Sequence, residues 1–153
     1  MYQLDLADPR LAIPGPVYQR SDGLLDRFTT RRQPRSRAGE RRKRIAFFAP
    51  DRPGENTVPV CQVKTDDGHH VLRVGNPRGD DPPRILFHAL PVDAKPQPKT
   101  AQPLYEFSRP KDNRRAYSTD PSWSAPDFDQ PGRPICQVWR NPGRPTLPAA
   151  ADR

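Results

Sequence analysis

The chain has 153 residues, with 22 prolines and 9 glycines, and carries 26 Lys and Arg against 18 Asp and Glu, a net charge of +8. No proline-free run exceeds 17 residues; an interior proline costs a helix about 3 kcal/mol, so helix bundles and coiled coils are excluded. No apolar run approaches the roughly 20 residues of a membrane-spanning helix, and Leu, Ile, Val and Phe fill only 28 positions, a composition close to that of disordered chains.

Residues 1–15 read as an N-terminal extension. They offer neither a basic n-region nor an apolar h-region, so no signal peptide is expected and the chain as encoded reads as cytoplasmic. The first strand-like run is Pro16-Val17-Tyr18-Gln19-Arg20. Asp22-Gly23 then supplies the positive φ that a tight hairpin turn demands. Arg27-Phe28-Thr29-Thr30 reads as the returning strand, and Ile45-Ala46-Phe47-Phe48-Ala49-Pro50 as an apolar third strand.

Residues 27–44 hold nine basic residues and one acid, Glu40, which accounts for the whole net charge. The rest of the chain is neutral. Such a segment attracts phosphates or sulfates by releasing their counterions. The candidate polyanion contacts are Arg31, Arg32, Arg35, Arg37, Arg41, Arg42, Lys43 and Arg44. No aromatic residue interleaves with them, so base stacking is not offered. The plain alternative is a solvated loop.

The pattern then recurs. A polar linker, 51–57, leads to Pro59-Val60-Cys61-Gln62-Val63, the turn dipeptide Asp67-Gly68, Val71-Leu72-Arg73-Val74, and the apolar run Ile85 to Pro91. A second linker, 92–102, leads to Pro103-Leu104-Tyr105-Glu106-Phe107, Asp112-Asn113, Arg115 to Thr119, and Ile135-Cys136-Gln137-Val138-Trp139. The starting prolines are 43 and 44 residues apart. Each unit reads as a hairpin, a variable connection and a third strand. One unit cannot bury its apolar face alone, but three around an axis can. The expected fold is all-β: three repeats of about 44 residues, 16–58, 59–102 and 103–142, in a β-trefoil-like pseudo-threefold domain, followed by a C-terminal tail, 143–153.

Strand alternation places Tyr18, Cys61 with Val63, and Tyr105 with Phe107 on one face, and Gln19, Gln62 and Glu106 on the other. The core is expected to draw on Tyr18, Phe28, Phe47, Phe48, Phe87, Tyr105, Phe107, Tyr117 and Trp139. Two cysteines, Cys61 and Cys136, are too few for a disulfide framework; one bridge or two buried thiols are both open.

The third unit, Pro103 to Pro110 and Asp112 to Pro121, resembles a repeat family of unknown function from bacterial secreted and surface proteins. Its repeats run P-x-Y-R-[LF]-Y-N-P, then T-G-x-H-F-Y-T-T, then G-I-A-F-Y. Phe28-Thr29-Thr30 and Ile45 to Phe48 match the later parts, while the second unit matches only at Pro59-Val60, Asp67-Gly68 and Ile85 to Phe87. The family's company with cell-wall and polysaccharide hydrolases implies glycan or surface binding outside the cell. Separately, Gln137-Val138-Trp139 is similar to the Q-x-W of ricin-type trefoil lectins, although Gln19-Arg20-Ser21 and Gln62-Val63-Lys64 lack the Trp.

Signatures of chemistry are sparse. Cys61, His69, His70, His88 and Cys136 form no metal-ligand spacing. No G-x-S-x-G and no phosphate-cradling glycine loop is present. The carboxylate pairs Asp66-Asp67, Asp80-Asp81 and Asp127 with Asp129 lie among Gly and Pro, where turn acids are expected. No catalytic residue, metal or cofactor is therefore assigned. A binding module remains, with carbohydrate or a surface glycan as its partner. Sugar sites pair an aromatic face with polar groups that bond hydroxyls. Trp123, in a proline-flanked polar loop, supplies the first, and Asp67, Asp112, Asn113 and Arg114, at hairpin tips, supply the second. The competing expectations are a polyanion- or nucleic-acid-associated protein acting through 27–44, or a partly disordered scaffold.

Overall fold

A computed structural model describes residues 14–21, 26–30, 41–54, 56–75, 84–95 and 97–140. The terminal extension up to residue 13, the Asp22-Gly23 turn, the tail 143–153, and Arg31, Arg32, Arg35 and Arg37 lie outside the described residues. The described residues form strands and no helix: β1 Gly15–Ser21, β2 Asp26–Thr29, β3 Arg41–Ala49, β4 Val58–Lys64, β5 His70–Val74, β6 Ile85–Ala89, β7 Ala101–Arg109, β8 Arg114–Ser118 and β9 Cys136–Trp139. The architecture is all-β.

Each proline-led run became a strand with its hairpin partner next in the chain: β1 with β2, β4 with β5, and β7 with β8, all antiparallel. The turn chemistry explains the two described reversals. Gly68 takes φ +82° while its N–H donates to the Thr65 carbonyl at 2.9 Å. Asn113 takes φ 55°, a left-handed conformation that Asn tolerates.

β3, β6 and β9 then pair antiparallel on the other side of β1, β4 and β7. Two sheets result, one of six strands in the order β2-β1-β3-β9-β7-β8 and one of three in the order β5-β4-β6. The third strands also meet one another near their C-terminal ends. Phe48 pairs with Trp139, Leu90 and Gln137 exchange both backbone hydrogen bonds at 2.9 and 3.0 Å, and the His88 N–H donates to the Pro50 carbonyl at 2.8 Å.

The core cluster comprises Val17, Phe28, Phe47, Ala49, Val60, Leu72, Phe87, Ala89, Leu104, Tyr117, Cys136 and Val138. Edge-on ring contacts join Phe28 to Tyr117 (centroids 5.5 Å apart) and Phe47 to Phe87 (5.2 Å). Each such pair adds about 0.5–1.5 kcal/mol beyond area burial.

The expected face assignment holds for Cys61 and Phe107 and fails for Tyr18, Val63 and Tyr105. The fully buried residues of the first strands are Val17, Val60, Cys61, Leu104 and Phe107, whereas Tyr18, Val63 and Tyr105 are only half-buried. Phe48 and Trp139 are half-buried too. Register shifts at Val17/Tyr18 and Val60/Cys61 break the two-residue alternation, and in β7 burial recurs every third residue, at Ala101, Leu104 and Phe107. In the core cluster the first strands supply Val17, Val60 and Leu104, and the aromatics Phe28, Phe47, Phe87 and Tyr117 come from their partner strands.

Gln19, Gln62 and Glu106, assigned to the polar face, also turn out to serve the interior. The Gln62 Oε1 accepts the Phe28 N–H of β2 at 2.8 Å. The Tyr117 hydroxyl accepts the Leu72 N–H of β5 at 2.8 Å and donates to the Glu106 Oε2 at 2.7 Å. Gln19 is buried, 9% exposed. β2 and β5 are sheet-edge strands, and an edge N–H left bare is both an unsatisfied donor and a template for aggregation. A side chain from the following hairpin covers each.

The basic segment is not one continuous loop. Its first residue, Arg27, belongs to β2 and its last four, Arg41 to Arg44, open β3. Pairing with β1 recruits them: Gln19 stands opposite Arg44, and Ser21 opposite Arg41.

Candidate functional site

The described hairpin tips converge. Asn113, at the β7–β8 tip, donates from Nδ2 to the Asp67 Oδ2 of the β4–β5 tip at 3.2 Å. Residues 46 apart in sequence are thus brought together, and both were expected to contribute to a ligand site on residue type alone.

Asp112 is held differently. Arg109 grips it in a two-pronged ion pair, Nε to Oδ1 at 2.8 Å and Nη2 to Oδ2. This hydrogen bond, the charge of Arg109, a bond from the Arg114 backbone and the nearby His69 hold the Asp112 carboxyl at about 2, well below the usual carboxylate range. The side chain is exposed to solvent, so the ion pair fixes geometry more than it stabilises the fold. Arg114 begins β8 opposite Arg109 in the ladder.

Arg109 also links the tip to the aromatic loop. Its guanidinium lies 5.2 Å from the Phe128 ring centroid, in cation–π range. Phe128 meets Trp123 edge-on at 5.3 Å, and Trp123 meets the buried Phe107 of β7 at 4.7 Å. Local chemistry shapes this loop. The Asp120 carboxylate accepts the Ser122 N–H at 2.8 Å and its hydroxyl at 2.6 Å, which pushes the Asp120 carboxyl downward. The Trp123 N–H donates to the Asp120 carbonyl at 3.2 Å, and the Asp129 N–H pins the loop to the Ser108 carbonyl at 2.8 Å.

Trp123 is therefore both anchored and half-exposed. One string of contacts runs Asp67, Asn113, then Asp112, Arg109, Phe128 and Trp123. All the expected ligand residues lie on or beside it. Sequence reading missed Arg109 and Phe128. The available signals were an Arg three residues before the turn acid and a second aromatic in the same proline-rich loop.

Both cysteines and His88 are sequestered. Cys61 and Cys136 are buried free thiols; burial pushes the first upward and the second up to about 12. His88 is buried and held below its ordinary value by desolvation, which the charge of Asp51 partly offsets. Among the described residues, no three His, Cys, Asp or Glu side chains gather as a metal site, and no helix is long and apolar enough to cross a membrane.

Compared with protein-family models, with curated proteins and with solved structures, the chain matches none.

Proposed function

We propose that this chain is a non-catalytic carbohydrate-binding module built on three β-trefoil-like units, 16–58, 59–102 and 103–142. The observation that carries the reading is the Asn113–Asp67 hydrogen bond, which joins two hairpin tips beside the Arg109–Phe128–Trp123 stack. Carboxylates and an amide in fixed positions suit sugar hydroxyls, and a half-exposed indole suits the C–H face of a pyranose. The ion pair fixing Asp112 and the turn fixing Trp123 reduce the ordering cost of binding.

The pseudo-threefold arrangement draws support from the core. Its members sort by register into sets with one residue from each unit: Val17, Val60 and Leu104; Phe28, Leu72 and Tyr117; Phe47, Phe87 and Cys136; Ala49, Ala89 and Val138. The contacts between third strands follow the same rotation. Phe48 in the first unit meets Trp139 in the third, Gln137 in the third meets Leu90 in the second, and His88 in the second meets Pro50 in the first.

A screen of the purified chain against neutral glycans, at low and high salt, tests the function. Salt-resistant binding that is lost in Trp123→Ala and weakened in Asn113→Ala is the expected result. Failure to bind any neutral glycan, or binding indifferent to both substitutions, overturns it.

A further inference from the structure

The three strands of the first unit bring cations from separate stretches of sequence to one end of a sheet. Arg20 of β1 stands directly opposite Arg27 of β2. On the other side of β1, Arg44 stands opposite Gln19 and Arg41 opposite Ser21, and the register shift between those pairs sets Arg42 and Lys43 against Arg20. With strands about 4.8 Å apart and residues about 3.4 Å apart along each, the backbone positions of these six cations fall within roughly 10 Å at that sheet end, with successive rungs on alternate faces: Arg20 and Arg27 share one face, and Arg44 stands on the rung of Gln19 and Phe28 on the other. Asp26 is the one acid in the three strands.

Like charges directly opposite in a ladder are destabilising. A sheet end carrying six cations and one acid is favoured when anions sit against it. We infer that the end of the β2–β1–β3 ladder, formed by Arg20, Arg27, Arg41, Arg42, Lys43 and Arg44, is a binding site for a sulfated or otherwise acidic polysaccharide. The ladder adds Arg20, which no run of basic residues contains, and sets it between Arg27 and the cations that follow Arg27 by 14 or more residues. Phe28, on the rung of Gln19 and Arg44, is buried and offers a nucleobase no face to stack on, whereas sulfates and carboxylates need only closely spaced positive charge. This site lies at the β1–β2 hairpin end, shares no residue with the Asp67, Asn113 and Trp123 string, and stands whether or not a neutral sugar binds there.

The test is heparin binding by the full chain across a salt series. The variants are Arg20→Gln/Arg27→Gln, Arg42→Gln/Lys43→Gln and, as a charge-matched control, Arg31→Gln/Arg32→Gln. The two ladder variants are expected to lose about tenfold in affinity at low salt, with the slope of log K against log salt shallower by roughly two contacts. The control should lose clearly less, and Lys95→Gln/Lys99→Gln, at exposed positions between β6 and β7, should bind heparin as the parent does. Heparin should raise the melting temperature of the parent more than that of either ladder variant. Using two variants on different strands keeps the test open if one fails to fold. Equal losses in ladder variants and control would reduce the site to a diffuse basic segment and overturn the inference. So would unchanged affinity in the ladder variants, or tighter binding of duplex DNA than of heparin.

Discussion

The Tyr117 hydroxyl accepts the backbone N–H of Leu72, 45 residues away, at 2.8 Å. It donates in turn to Glu106 at 2.7 Å, so one oxygen closes the edge of β5 and ties it to the β7–β8 hairpin. Tyr117→Phe keeps the ring packed on Phe28 but strands the Leu72 N–H. The expected cost is about 1–3 kcal/mol, the penalty for a buried unpaired donor, measured by urea unfolding.

The same residue sets the alkaline limit. Burial first, then the charge and hydrogen bond of Glu106, raise its hydroxyl well above the ordinary tyrosine value. Below about pH 10 the group is protonated in both states; above it, the unfolded chain releases a proton that the native chain retains. Stability should therefore fall as pH rises past 10, and Tyr117→Phe should flatten that fall. An identical alkaline profile in the variant would refute the assignment.

Gln62 does for β2 what Tyr117 does for β5. Gln62→Leu should lower stability by about 1–3 kcal/mol. It should also speed amide hydrogen exchange at Phe28 more than at Val17, whose buried position lies on β1.

Acid should act through His88. It is 7% exposed, and its Nδ1 has no hydrogen-bond partner among the described residues. Because burial lowers its native pKa, the unfolded chain binds a proton below about pH 6.5 that the native chain resists. Stability should decline as pH falls through that value and level off below the native pKa. In His88→Gln this step should vanish, leaving the later decline near pH 4 as carboxylates such as Asp112 begin to protonate in the unfolded chain.

The core offers a sterner test. Phe87 is completely buried and meets Phe47 edge-on. Phe87→Ala should cost about 3–5 kcal/mol, a large part of the 5–15 kcal/mol typical of a domain. Native Cys136 should resist thiol reagents at pH 8 and react once the chain is unfolded; denaturant-dependent labelling reads both effects.

What was legible in sequence was what short stretches impose on themselves. Proline spacing forbade long helices, Asp67-Gly68 and Asp112-Asn113 marked reversals because few residues accept positive φ, and the strands formed where the proline-led and apolar runs lay, except that β3 begins four residues early, at Arg41 inside the basic segment. Trp123, Asp67, Asp112 and Asn113 could be picked by residue type and turn position. Strand periodicity failed in β1, β4 and β7: register shifts in β1 and β4, and burial at every third residue in β7, left Tyr18, Val63 and Tyr105 only half-buried. Only the tertiary structure decided that Gln62 and Tyr117 cover foreign edges, that Asn113 reaches Asp67, that Arg109 and Phe128 brace Trp123, and that Arg20 stands between Arg27 and the cations opening β3. Turn and proline preferences are fixed by φ within a few residues, whereas a hydrogen bond or register between residues tens of positions apart exists only once the chain has closed on itself.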